Sequence, residues 1–170
     1  MQAVGQTMPT LTNTAPGELA QAVGLVFETM LGLEAIVGDP DAGGAAAELP
    51  TRADLMTAAV YLGGKYRGAV LIHCLPLQAC AFAGRFLSAN PPESVDDEVL
   101  DVLGELANMV AGNLPYASLP GSVLSVPSVF EGPAAKLRIC GSRAAGRTSF
   151  LTPSGPFWVT MVAASDSPPR

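Results

Sequence analysis

Basic residues are scarce in this chain. Its 170 residues include nine Lys and Arg against 15 Asp and Glu, for a net charge of −6. The few cations form no cluster, which argues against a nucleic-acid surface, where a positive stripe must displace counterions, and against an anionic membrane. Histidine is scarcer still: His73 stands alone. With no Walker-type GxxxxGK[ST] and no GxSxG either, the chain gives little support to a metal- or nucleophile-based enzyme acting on small molecules. The three cysteines, Cys74, Cys80 and Cys140, are widely spaced and make no CxxC pair, so they read as small buried apolar residues with reduced thiols. No apolar run reaches the ~18 residues of a membrane span, and the first residues lack the charged and apolar regions of a signal peptide. A cytoplasmic protein is expected.

What the chain does have is apolar content, 49% of all residues, enough for one domain with a substantial core. Residues 1–13 and 165–170 read as flexible polar tails around a single domain at 14–164. Pro16 suits the first turn of a helix, Leu19, Val23, Val26, Phe27 and Met30 form its stripe, and Gly32 offers a stop. Leu33 to Val37 suits a short strand, and residues 38–50 a Gly- and Ala-rich loop. Residues 54–62 and 67–75 read as a hairpin around Gly63-Gly64-Lys65-Tyr66. His73 lies in its second run and is expected to be packed or hydrogen-bonded there. Pro76 begins a second helix to about Ser88, with Phe82 and Phe86 on one face. After Pro115 the pattern turns to strands at 122–130, 136–140, 148–151 and 157–163, with Gly155-Pro156 as the last turn. This order predicts an α+β fold, helices packed on a mainly antiparallel β-sheet.

The most informative stretch runs from Ser94 to Asn113. Val99, Leu103, Leu106 and Val110 repeat at helical spacing and form one apolar stripe. Ser94 stands where an N-cap is expected, and Asp96, Asp97 and Glu98 suit the positive end of the helix dipole. Gly112 and Asn113 tolerate a left-handed stop, and Pro115 cannot continue the helix. At about 100° per residue, Asp101, Glu105, Asn108 and Gly112 gather roughly 160° from the stripe, with Gly104, Ala107 and Ala111 beside them. Glu105 and Asn108 are neighbours, about 5–6 Å apart at Cβ. Interior glycines cost up to ~1 kcal/mol each relative to Ala, so helix stability does not explain this face. Small residues around one carboxylate and one amide would let a partner come close.

The run Gly104-Glu105-Leu106-Ala107-Asn108-Met109-Val110-Ala111-Gly112-Asn113 resembles the active-site helix of the CheC/CheX group of chemotaxis phosphatases: Glu-x-x-Asn, a hydrophobic pair, a small residue and Gly-Asn. VFETML in the first helix, GGKYRGAVLI in the hairpin and SVPSVFEG after the main helix are similar to their counterparts in CheX-type proteins. The resemblance spans roughly residues 18–163. It implies a CheC/CheX-like fold and a phosphatase that hydrolyses the aspartyl phosphate of a CheY-like response regulator. On that pattern the regulator supplies Mg²⁺, this chain binds no cofactor of its own, Asn108 positions the attacking water, and Glu105 pairs with the regulator's lysine. Asp101, Gly104 and Gly112 would form the surrounding docking surface. Members of the wider group carry a second Glu-x-x-Asn on the first helix; here Glu28-Thr29-Met30-Leu31 ends in Leu, so one site is expected. The sequence departs from the pattern at Leu114-Pro115, beside the docking surface. The resemblance further implies a homodimer joined at sheet edges. The alternative is an adaptor that binds a response regulator or flagellar-switch component without hydrolysis.

Overall fold

In the computed structural model, the described residues are 16–39, 48–64, 67–115, 119, 121–132 and 142–164. Helix α1 (Pro16–Val26) continues into a π-helical turn at Phe27–Leu31. Gly32 closes it at φ 59°, a left-handed conformation that glycine adopts without a Cβ penalty. Leu19, Val23, Val26 and Phe27 are buried, as their spacing predicts. Strand β1 is shorter than expected, Ile36–Val37. The long hairpin follows as β2 (Met56–Gly64) and β3 (Gly68–Cys74), then α2 (Pro76–Phe86) and α3 (Asp97–Gly112). The remaining strands are β4 (Ser122–Leu124), β5 (Ser128–Glu131), β6 (Ser142–Thr152) and β7 (Gly155–Ala164).

These strands form one seven-stranded sheet in the order β1-β6-β7-β3-β2-β4, with β5 also on β2, and every ladder is antiparallel. The expected α+β fold is the one observed. Met56, Ala58, Val60 and Leu62 alternate toward the helices, where they join a core built from α1, α2, α3, β3 and β7. Phe27, Phe82 and Phe157 meet there. The Phe27 and Phe157 rings stack at 4.4 Å, and Phe82 approaches both edge-on. Offset and edge-on geometries suit the ring quadrupoles and add to the apolar burial. The other sheet face holds a smaller cluster of Ala59, Ala69, Leu71 and Val162. β3 is buried at every position, on the face of this smaller cluster as well as on the helix face. That fits a sequence that is apolar except for His73 and shows no alternation.

Three expectations are corrected. The strand expected over 122–130 is broken: β4 pairs with Leu62–Gly64 and β5 with Met56–Ala59, leaving Ser125–Pro127 between them. Pro127 has no N–H to donate to a ladder, which accounts for the interruption. The last hairpin turns at Pro153-Ser154, with Thr152 paired to Gly155, rather than at Gly155-Pro156. Its strands are also longer than expected. β6 absorbs an irregularity between Ala144 and Gly146, and polar residues such as Arg147 and Ser149 hide its period in the sequence. The expected strand at 136–140, the tails at 1–13 and 165–170, and most of the 38–50 loop lie outside the described residues.

Candidate functional site

α3 begins at Asp97, and its cap is Asp96 rather than Ser94. The Asp96 side chain accepts a hydrogen bond from the Val99 N–H at 3.0 Å. Val95 decides between the two candidates. It packs against the core just before the cap, as Leu100 does one turn later, the two positions of a hydrophobic staple. Starting the helix at Ser94 would put Val95 in its first turn instead. The far end is also corrected. Asn113 is right-handed, at φ −92° and ψ 0°, and no left-handed residue ends the helix. The Asn113 amide donates to the Met109 carbonyl at 2.8 Å. Leu114 then turns inward, 7% exposed, so the departure at Leu114-Pro115 places a core residue, not a docking residue, after the helix.

The stripe Val99, Leu103, Leu106 and Val110 is buried, and the opposite side of α3 carries the candidate residues. Asp101, Glu105 and Gly112 are exposed and Asn108 is half-buried. Among the described residues, none engages the Glu105 carboxylate or the Asn108 amide. Both polar groups are therefore free to meet a second molecule.

Gly104 is placed differently from expectation. It is buried, and a Cβ there would stand 3.2 Å from Pro127 Cγ and 3.6 Å from Val129 Cγ2. The close approach it permits is made by this chain's own β4–β5 segment. At Gly112 a Cβ would lie 3.9 Å from Leu124 Cδ1, an ordinary contact. Leu124 beside Gly112 and Pro127 beside Gly104 mean that the segment runs antiparallel to α3. Eight helical residues rise about 12 Å and three extended ones span about 10 Å, so the two stretches match in length. Asn108 lies midway between the two glycines along α3. Sequence reasoning missed this neighbour of α3, although the proline in SVPSVFEG was the signal that the strand must break.

Among the described residues, His73, Cys74 and Cys80 are structural; Cys140 lies outside them. His73 is 1% exposed on the sheet face away from the helices, with Nδ1 2.9 Å from Thr57 Oγ1 and Nε2 3.0 Å from Thr160 Oγ1. Burial, reinforced by the nearby Arg147 charge, lowers its pKa to about 4. Burial likewise pushes the Cys74 thiol up to about 12 and raises that of Cys80, so neither offers a thiolate at neutral pH. Among the described residues no group of three or more His, Cys, Asp or Glu could hold a metal ion, and no helix is long and apolar enough to cross a membrane. A shallow depression of about 570 Å³ near Leu31, Arg85, Ser88 and Ser154 includes no residue of α3. On the first helix, Leu31 is 4% exposed and belongs to the core.

The sequence matches the family model described as chemotaxis phosphatase CheX over residues 56–151, more than half of the chain. This chain belongs to the CheX family. The match takes in the β2–β3 hairpin, α2, α3 and the β4–β5 segment. Among solved structures, CheX from Vibrio vulnificus superposes with a TM-score of 0.66 at 22% identity, covering 86% of this chain and 93% of that one. CheX from Borrelia burgdorferi, solved as a complex with CheY, BeF₃ and Mg²⁺, gives a TM-score of 0.67 at 22% identity, covering 88% and 97%. FliY from Thermotoga maritima is similar at a TM-score of 0.61 and 12% identity, covering 88% and 85%. At these identities the likeness is one of fold. No curated protein matches the sequence.

Proposed function

We propose that this CheX-family chain hydrolyses the aspartyl phosphate of a CheY-like response regulator, using Glu105 and Asn108 on α3. The observation that carries the reading is that these two residues, in the Glu-x-x-Asn spacing, stand together on the accessible side of a helix whose other faces are packed. The Borrelia relative was solved with CheY, BeF₃ and Mg²⁺, which supports a regulator that brings its own metal.

The chemical requirement on this chain is small. An acyl phosphate is already activated, and the regulator's Mg²⁺ and lysine balance charge on the phosphoryl group. Water attacks phosphorus in line, the bond to the aspartyl oxygen breaks, and the products are inorganic phosphate and the free carboxylate. Asn108 has both a donor and an acceptor, so it can fix the water's orientation without titrating or forming a covalent bond. Glu105, one turn back, pairs with the regulator's lysine and sets the register, and Asp101 adds negative charge at the exposed edge. Gly112 keeps the end of the face low. Gly104 serves the site indirectly, by admitting Pro127 beside it. Pairing of two copies at a sheet edge belongs to the same reading, as does a cytoplasmic location shared with the regulator.

The test is the decay of phosphorylated response regulators from the same organism, with wild type and with Asn108→Ala. Wild type should speed the decay of one regulator. Asn108→Ala should bind that regulator and lose roughly 10²-fold in rate, the scale of a misplaced reactant. Binding through the Glu105 face with no faster decay would make the chain an adaptor.

A further inference from the structure

Glu105 and Asn108 have unlike neighbours on their two flanks. At about 100° per residue, the order around α3 is Gly104, Asn108, Glu105, Met109, with Gly104 some 40° before Asn108 and Met109 some 40° beyond Glu105. The Gly104 flank is taken by this chain, since Pro127 packs there. At the other flank stands Met109, half-buried, which packs against the core and leaves part of its surface outside. A half-buried methionine at the edge of a core needs no explanation by itself. What distinguishes Met109 is the residue one turn behind it.

The Met109 carbonyl accepts from the Asn113 N–H at 3.0 Å and from the Asn113 side-chain amide at 2.8 Å, so the last turn of α3 is held twice at this residue. Side chains on a helix lean toward its N-terminus, over the residue four positions back. For Met109 that residue is Glu105, about 5–6 Å away at Cβ. Glu105 is exposed, and its carboxylate engages no described residue. An open carboxylate and an apolar thioether thus stand side by side on one turn. Met30, the other half-buried methionine among the described residues, packs against the same core, and the residue four back from it is the buried Val26.

We infer that Met109 is a positioning residue of the Glu105 contact: it takes the aliphatic stem of the regulator lysine whose ammonium meets Glu105, and keeps water from that ion pair. This deepens the function proposed above and rests on it. The chemistry of the pair selects the ligand group. A lysine is apolar along its four-carbon stem and charged at its head, so a carboxylate with an apolar surface one turn away matches both parts. Methionine suits the stem because it is unbranched and adapts its shape to what packs on it. An ion pair shielded from solvent is screened less by salt than an open one, so the cover strengthens the pair it adjoins. Because Met109 is already packed on its inner side, little ordering is left to be done on binding.

The experiment uses the full chain and the purified regulator, phosphorylated for turnover and loaded with beryllofluoride and Mg²⁺ for binding, at low and high ionic strength. Met109→Gln keeps the length of the side chain and removes its apolar character. It should raise KM for the phosphorylated regulator and Kd for the beryllofluoride form about fivefold, with kcat changed by less than about twofold. Its Kd should also climb more steeply with salt than that of wild type, because the ion pair is then open to water. Met109→Leu, apolar and of like volume, should keep both constants and the salt dependence near wild type. Met30→Gln loses comparable packing and should leave all three readings as they are. Unchanged KM and Kd for Met109→Gln, an equal loss from Met30→Gln, or a salt dependence parallel to wild type would overturn the inference while the phosphatase reading stood. If wild type neither binds nor dephosphorylates any regulator, both readings fall together. If it binds without hydrolysis and Met109→Gln makes that binding weaker and more salt-sensitive, the Met109 contact stands and the phosphatase reading fails.

Discussion

Pro127 lies so close to Gly104 that a Cβ on the helix would come within 3.2 Å of the ring's Cγ and 3.3 Å of its Cβ. Neighbouring Ser125, bonded twice to Tyr61, limits how far the segment can yield. A branched side chain at 104 therefore meets a rigid ring on a pinned chain. Gly104→Val should destabilise the protein by roughly 1–3 kcal/mol, the usual cost of overpacking. The gain from removing a helical glycine is under ~1 kcal/mol and does not offset this. The check is a urea titration at constant m, and a midpoint equal to or above wild type would contradict the packing described.

Which side of Gly104 faces a partner could not be read from spacing alone. The helical wheel put Gly104 beside Glu105 and Asn108, and in rotation it is. What covers that side is set by residues some twenty positions later, and a non-local contact leaves no local period. The same holds at the sheet. The order of helices and strands was legible because Gly32, Pro76 and Pro115 punctuate it. The break at Pro127 was legible in principle, but an apolar run on either side of the proline invited one long strand. Glu105 and Asn108 were picked out as candidates through a motif on an amphipathic helix, and their shared exposed side follows from the same spacing. The packing of Ser125–Pro127 beside α3 was not legible, because it depends on register with β2.

The choice of Asp96 over Ser94 as the helix cap can be tested directly. Asp96 accepts from Val99 N–H and places a carboxylate at the positive end of α3. Asp96→Ala should cost about 0.5–2 kcal/mol, while Ser94→Ala, at an exposed residue outside the helix, should change stability by less than ~0.5 kcal/mol. Urea midpoints of the two variants decide it. Equal losses would mean that both residues hold the start of the helix.

Glu105 is exposed and engages no described residue. If it pairs with a cation on the regulator, removing its charge while keeping its shape should act on encounter and register rather than on the chemical step. Glu105→Gln is expected to raise KM for the phosphorylated regulator about tenfold and to flatten its dependence on salt, with a smaller change in kcat. Turnover measured at low and high ionic strength tests this. An unchanged salt dependence would remove the ion pair from the reading.

His73 gives the protein a pH dependence that does not involve the α3 site. Its ring is held between Thr57 and Thr160, and burial with the Arg147 charge lowers its pKa from the ordinary 6.5 to about 4. Between those values the unfolded chain binds a proton that the folded chain does not. Stability from this group is therefore fully present above pH 6.5 and declines as pH falls toward 4, below which it changes no further. The loss is on the order of 3 kcal/mol at most. Carboxylates titrate in the same window, so the comparison is between wild type and His73→Asn, which keeps a polar side chain between the two threonines. Urea midpoints should fall more steeply for wild type than for the variant from pH 6.5 to 4. Parallel curves would mean that the imidazole is solvated enough to protonate in place.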